Sequence, residues 1–225
     1  MPGAHVTGVR SAGHSGHAVA GVVLAAGLAR RFGGGKLAAP LDGRPIVAHV
    51  LDIARSALEA GDIASVVVVA GSGPAAGPDA PTVRAMASSH GLSVVDNDDP
   101  AAGLSRSVRL ALAALEATEA DGALMLLGDQ PRVRPGVIRA IVAAAAQKGS
   151  GRPGFVIPRY GNGGAGNPVL IDRSMWPLAA ALDGDVGMVA VARERPDRVL
   201  YVEVEGANPD VDTPEELDAL DAADG

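Results

Sequence analysis

The 225-residue sequence predicts an α/β fold: a single three-layer, doubly wound, mostly parallel sheet of Rossmann-like form. Three observations carry this expectation. Residues 22–26, 66–70 and 123–127 are short, uninterrupted apolar runs, the pattern of strands buried on both faces. Between the first two, Ile46, Val47, Val50, Leu51, Ala54 and Leu58 recur at helical spacing, giving the strand–helix–strand unit of a parallel sheet. The first run also empties into a loop, residues 27–36, that holds three consecutive glycines and the cations Arg30, Arg31 and Lys36.

Bulk composition narrows the function. Hydrophobic residues make up 48% of the chain and aromatics only 2%, so the core is built from Ala, Val and Leu and offers no stacking platform for single-stranded nucleic acid. A net charge of −7 argues against a general nucleic-acid or membrane-surface binder. A basic loop in an acidic chain points to a small anionic ligand instead. With no cysteine there is no disulfide, thiolate metal site or cysteine nucleophile, which fits a cytoplasmic protein. No apolar run approaches the roughly 20 residues that span a bilayer. Residues 1–17 lack an apolar core and read as a disordered leader with His5, His14 and His17 solvated; residues 18–225 read as one domain.

The remaining elements follow in order. Pro45 suits the first turn of a helix running to about Ala60, which Gly61 ends. Residues 71–81 are loop, 82–90 helix and 93–95 a short strand. Helix signals resume at Ser105, with Val108, Leu110, Leu112 and Leu115 apolar. Residues 135–147 form an Ala-rich helix and 155–157 a strand. Residues 159–166 are a glycine-rich, mobile loop that suits a lid on the acceptor side. Residues 172–182 and 185–195 are short helices, with Trp176 a packing residue, and 199–204 a strand. Thr213 and Glu216 form a capping box with Pro214 at the first helical position, so a last helix starts there and ends near Ala223.

Bare amides and cations placed after a strand cradle a polyphosphate. Two familiar phosphate loops are excluded. Gly35-Lys36 is followed by Leu37 rather than Ser or Thr, and Arg30 stands where a P-loop needs glycine. The dinucleotide spacing G-x-G-x-x-G occurs at Gly161, Gly163 and Gly166, but no helix follows. The third strand delivers Gly128-Asp129-Gln130-Pro131 at its carboxyl end, where open parallel sheets bind ligands. A carboxylate opposite a phosphate loop is a place for Mg²⁺, which favours one or two carboxylates plus substrate phosphates. Asp210 and Asp212 alternate ahead of the last helix, so both point to one side if extended, and Asp212 is the favoured partner of Asp129.

Residues 24–36, read as L-A-A-G-x-x-x-R-F-G-x-x-K, resemble the signature loop of the MobA-like nucleotidyltransferases, and within that group most closely the molybdenum cofactor cytidylyltransferases. Ala29 and Phe32 stand where the family often has Ser and Met. Gly103-Leu-Ser105-Arg-Ser107, Gly128-Asp-Gln-Pro131, Gly184-Asp185-Val-Gly187 and the Asp210-to-Leu217 segment resemble further motifs in family order, over residues 18–222. Asn167 departs from the family's frequent His before Pro-Val.

The resemblance implies Mg²⁺-dependent transfer of a nucleotide, CMP from CTP favoured, onto a phosphorylated small-molecule acceptor such as the molybdopterin cofactor. Arg31, Lys36 and Asp129 become the catalytic set. Leu24, Ala25, Ala26, Gly27, Gly33, Gly34, Gly35, Asn97, Gly103, Ser105 and Ser107 become nucleotide contacts, and Asp129 with Asp212 the metal pair. Asn167, Asp185 and Asp210 fall to the acceptor side. No nucleic acid or membrane partner is implied, and contact with a molybdoenzyme or cofactor chaperone is. The alternatives are an NAD(P)H-dependent oxidoreductase of the nicotine-blue type, known in the same family, and a nucleotide-binding module without turnover.

Overall fold

The computed structural model describes residues 17–146, 151–161 and 166–222. The chain runs β1 Val19–Ala25, β2 Pro40–Leu41, β3 Arg44–Pro45, α1 Ile46–Glu59, β4 Ser65–Gly71, α2 Ala80–Ser89, β5 Ser93–Asn97, α3 Leu104–Glu116, β6 Gly122–Leu127 and α4 Pro135–Ala145. It continues through β7 Phe155–Tyr160, β8 Val169–Asp172, a 3₁₀ segment Arg173–Ala181, α5 Met188–Arg193, β9 Val199–Val204 and α6 Pro214–Ala222. The seven-stranded sheet has the order β5-β4-β1-β6-β8-β7-β9. Only β8 runs antiparallel to its neighbours. The expected doubly wound, mostly parallel α/β fold is therefore the observed one.

Strand alternation builds the layers. Val19, Val23 and Ala25 of β1 face one way, onto Val50, Leu51 and Ala54 of α1, Val83 of α2 and Ile138 and Ile141 of α4. Ala20, Val22 and Leu24 face the other way, onto Val108, Ala111 and Leu115 of α3, Trp176 of the 3₁₀ segment and Val191 of α5. Trp176 is buried packing, as expected. Gly21 lets Ile63 close on the strand: a Cβ there would lie 2.8 Å from Ile63 Cδ1. A third cluster, Leu41, Ile46, Val211 and Leu217, pins the β2–β3 hairpin to α6 beside the carboxyl ends of the central strands.

Several expected boundaries move. β1 starts three residues earlier than the apolar run, because Val19 pairs with Gly122 of β6, and Ala20 and Gly21 pair with both β4 and β6. Pro45 belongs to the hairpin and precedes α1 with extended ψ, 138°, rather than opening its first turn. β5 extends to Asn97 and β7 to Tyr160, so Arg159 and Tyr160 are strand rather than lid; residues 162–165 of that loop lie outside the described residues. The capping box of α6 is present, with Glu216 N–H donating to Thr213 Oγ1 at 3.2 Å and Thr213 N–H to Glu216 Oε2 at 3.0 Å. Residues 1–16 of the expected leader also lie outside. His17, its last residue, is not solvated: its side chain is 1% exposed, 3.7 Å from Asp121. Burial, and then the charge of Arg152, lower its pKa. No helix of the described residues is long and apolar enough to cross a membrane.

A surface clasp joins α1 to the end of α2. Asp52 accepts from Arg44 Nη2 at 2.6 Å and pairs with His90 Nε2 at 2.7 Å. Partial burial pushes the Asp52 carboxyl up, but the hydrogen bonds from His90 and Arg44 outweigh it and hold the pKa below the ordinary 3.8. An acid held low in the folded state contributes stability above its unfolded pKa and loses it as pH falls through the folded value. Urea titrations of wild type and Asp52→Asn should therefore show the wild-type advantage at pH 7 shrinking below about pH 4.

Candidate active site

The site lies where β1, β5 and β6 end. β1 stops at Ala25, and the chain makes one 3₁₀ turn at Arg30–Phe32 before returning through Gly33, Gly34 and Gly35. Those glycines have φ of 87°, 87° and 74°, left-handed values that side chains resist. Ala29 adopts φ 48° without being glycine, and its carbonyl accepts the Phe32 and Gly34 N–H groups, both at 3.0 Å. The glycines thus serve the turn. None of the three lines the cleft. The turn returns Lys36 to the cleft, which measures about 370 Å³.

Lys36 is the centre of the cleft's charges. Its side chain is 10% exposed, and Nζ stands 2.5 Å from Asp129 Oδ2 and 3.4 Å from Asp212 Oδ1. Arg31 Nη1 meets the other oxygen of Asp212 at 2.9 Å while remaining mostly exposed. Asp129 follows β6, and Val211 N–H donates to its carbonyl at 3.3 Å. The hydrophobic seating of Val211 then turns Asp212 toward the lysine. Two cations and two carboxylates from three distant parts of the chain thus form one alternating cluster. A buried ammonium is tolerated in this way when paired carboxylates replace its water. Among the described residues no group of three or more His, Cys, Asp or Glu side chains could hold a metal, so two carboxylates are the available set.

The opposite wall is apolar and small. Leu24, Ala26, Gly27 and Leu127 line it from the strand ends, and Gly103, Leu104 and Ser107 from the start of α3. Ala25 faces the other layer and does not line the cleft, because alternate strand residues point apart. Asn97 and Ser105 are fully buried and also do not line it. Asn97 is structural: Nδ2 donates to Ser107 Oγ at 3.0 Å, and Oδ1 accepts from Asp99 N–H at 3.1 Å and Arg106 Nε at 3.2 Å. Ser105 does not cap α3; Gly103 holds the cap position. The 184–185 segment seals that helix end instead, Gly184 carbonyl accepting from Ser105 N–H at 3.0 Å and Asp185 Oδ1 from Leu104 N–H at 3.3 Å.

The expected acceptor side divides. Asp185 lines the cleft, whereas Asn167 and Asp210 do not. Asp210 accepts from Gln130 Nε2. Asn208 Nδ2 donates to Gln130 Oε1 at 2.9 Å and to the Asn167 carbonyl at 3.1 Å, which also accepts from Tyr160 OH at 2.6 Å. Burial pushes the Tyr160 phenol up to about 12. Gln130 thereby ties Asp210 and Asn208, both in the segment that leads to Asp212, to the end of β6. Gln130 and Asn208 were missed as functional residues; the only sequence signal was their place beside Asp129 and Asp210.

Fold and cleft together define a class: an α/β nucleotide-binding protein with a basic glycine loop facing paired carboxylates. The chain belongs to the MobA-like NTP transferase family, whose domain profile matches residues 21–199. It is a nucleotidyltransferase by that membership. It is 30% identical to the purine catabolism protein PucB of Bacillus subtilis (strain 168) over 210 residues, 89% of this chain and 94% of the relative. Rv0371c of Mycobacterium tuberculosis H37Rv superimposes with a TM-score of 0.73 at 29% identity, covering 92% of this chain and 98% of that one. A manganese complex of Rv0371c matches with a TM-score of 0.72 at 28% identity, covering 92% and 99%.

The close seating of α3 gives a test. Gly103 has φ 86°, and a Cβ there would lie 2.4 Å from Gly184 C. Gly103→Ala should lower stability by about 1–3 kcal/mol, read as the shift in urea midpoint at unchanged slope.

Proposed function

We propose that the protein transfers CMP from CTP, in preference to GMP from GTP, onto a phosphorylated small-molecule acceptor of the molybdopterin type, with release of pyrophosphate. The observation that carries this reading is Lys36 Nζ held between Asp129 and Asp212 in the cleft that Arg30 and Arg31 also line. An acceptor phosphate oxygen attacks the α-phosphorus, and the bond from that phosphorus to the bridging oxygen breaks, the electron pair leaving with pyrophosphate. Such a reaction needs positioning and charge neutralisation more than covalent help. In this reading Lys36 meets charge at the α-phosphate, and the exposed Arg31 and Arg30 hold the outer phosphates.

Two carboxylates that converge on one ammonium suit Mg²⁺, which keeps water and phosphate oxygens as its other ligands, better than zinc, which takes three or four protein ligands. Asp129 and Asp212 are the residues that would hold it. The ion would supply positive charge against the triphosphate. The manganese complex of the similar Rv0371c supports a divalent cation in this fold.

The base preference rests on Ala26. It is 4% exposed and lines the cleft between Leu24 and Gly27, so its methyl narrows the space for a base and favours a pyrimidine.

Two outcomes test the reading. In a steady-state pyrophosphate assay with Mg²⁺ and acceptor, Asp129→Asn should lose at least about a hundredfold in kcat while its far-ultraviolet circular dichroism stays that of wild type. Turnover unchanged in that variant would remove Asp129 from the chemistry. Ala26→Gly should move the CTP-to-GTP ratio of kcat/KM toward GTP by about tenfold, the scale of one methyl group in a pocket.

A further inference from the structure

We propose that Asp79 is a positioning residue for Lys36, clamping the backbone just after it so that the ammonium is delivered to the Asp129–Asp212 pair. The inference deepens the reading of the cleft as a nucleotidyl-transfer site and rests on it. Asp79 lies in the stretch between β4 and α2, read from sequence as an ordinary loop, and it does not line the cleft.

Three contacts press this stretch against the back of the phosphate loop. A Cβ on Gly77 would lie 2.9 Å from Leu28 Cδ2, and one on Gly34 would lie 3.3 Å from Pro78 Cγ. Asp79 Oδ1 accepts the Ala38 N–H at 2.9 Å. The glycine turn is therefore braced at its start, its middle and its end by residues 77–79.

The choice of partner is informative. Asp79 holds the N-cap position of α2, where a carboxylate usually accepts from the first free N–H groups of its own helix. It makes no such bond. Its side chain is spent instead on Ala38, 41 residues away in the chain. Asp79 is 3% exposed, and its Oδ2 has no hydrogen-bond partner among the described residues. Burial pushes its carboxyl up, against the opposing pull of the Ala38 and Leu37 N–H groups and the Lys36 charge. A carboxylate under-used by its own helix, buried at a folding cost and aimed at the exit of the phosphate loop is placed for geometry there rather than for stability of α2.

The mechanical chain is short. Lys36 is fixed at one end by Asp129 and Asp212. At the other end the backbone of residues 37–39 is fixed by Asp79, by Val47 N–H donating to the Leu37 carbonyl at 3.1 Å, and by Ile46 N–H donating to the Ala39 carbonyl at 3.0 Å. Of these, Asp79 supplies the side-chain hydrogen bond. Without it the lysine keeps its charge but loses its fixed base.

The test compares Asp79→Ala, Asp79→Asn and Val83→Ala in the full chain. Val83 is a fully buried residue of α2 outside the cleft, so its truncation destabilises the same helix without touching the loop. Two readouts are taken: kcat and KM for Mg²⁺-dependent pyrophosphate release from CTP, and the rate at which Lys36 is acylated by a water-soluble succinimidyl ester, located by peptide mass spectrometry. Asp79→Ala should lower kcat by about tenfold or more with KM changed less than about threefold, and should acylate several-fold faster at Lys36. Asp79→Asn, which keeps an acceptor for the Ala38 N–H, should recover most of both. Val83→Ala should leave both at wild-type values. Lys36 acylation unchanged in Asp79→Ala, or equal losses of kcat in Asp79→Ala and Val83→Ala, would overturn the proposal. If wild type releases no pyrophosphate from any nucleoside triphosphate, the functional reading fails, and the acylation rates still decide the clamp by themselves.

Discussion

The salt-bridged position of Lys36 between Asp129 and Asp212 is the interaction on which the rest of the site depends. It joins three segments that are far apart in sequence: the exit of the glycine turn, the end of the central strand β6 and the approach to α6. The ammonium of Lys36 would be intolerable at that depth without its two partners, since an unpaired ammonium shielded from water carries a large desolvation penalty. Together they satisfy one another, and the fold has to bring them together. The antiparallel turn of β8 back across the sheet, the return of β9 and the seating of Val211 in the third apolar cluster all serve to carry Asp212 home.

The sheet supplies the rigid frame. Alternation along β1 sends Val23 and Ala25 into one layer and Val22 and Leu24 into the other, so neither face of the strand is free to slip. A core of Ala and Val lets helices approach closely. That closeness is visible at α3, whose start is sealed by backbone of the 184–185 segment at a distance only glycine at position 103 permits. The same economy makes the cleft wall: Leu24 and Ala26 pack in the core of one layer and also line the cleft at the end of β1.

The fold was legible because buried strands and amphipathic helices write directly into apolar runs and spacing. The carboxylates were legible because each flanks an element: Asp129 follows β6, and Asp212 precedes the capping box of α6. What the sequence hid was side-chain direction and long-range pairing. Ala25 and Ala26 are neighbours in the same motif, yet one faces a helix layer and the other the cleft. Gly33 to Gly35 read as a ligand cradle, and the structure shows them as a left-handed turn beside the cleft that returns Lys36 to it. Asn97 and Ser105 read as contacts but are buried, Asn97 bonding Ser107 and Arg106. Asp79 gave no signal, and Gln130 none beyond its place beside Asp129, because their partners, Ala38 and Asp210, are distant in the chain.

The most direct measurement is thermal unfolding of the full chain with CTP, GTP, NADH and NADPH, each with and without Mg²⁺. A ligand that binds only the folded state raises stability by RT ln(1 + [L]/Kd), about 2.7 kcal/mol at a hundredfold excess over Kd. If the Lys36 cluster is a triphosphate and metal site, CTP should raise the midpoint only when Mg²⁺ is present, and Asp212→Asn should abolish the shift. A metal-independent shift with a reduced nicotinamide nucleotide, and none with either triphosphate, would contradict the account.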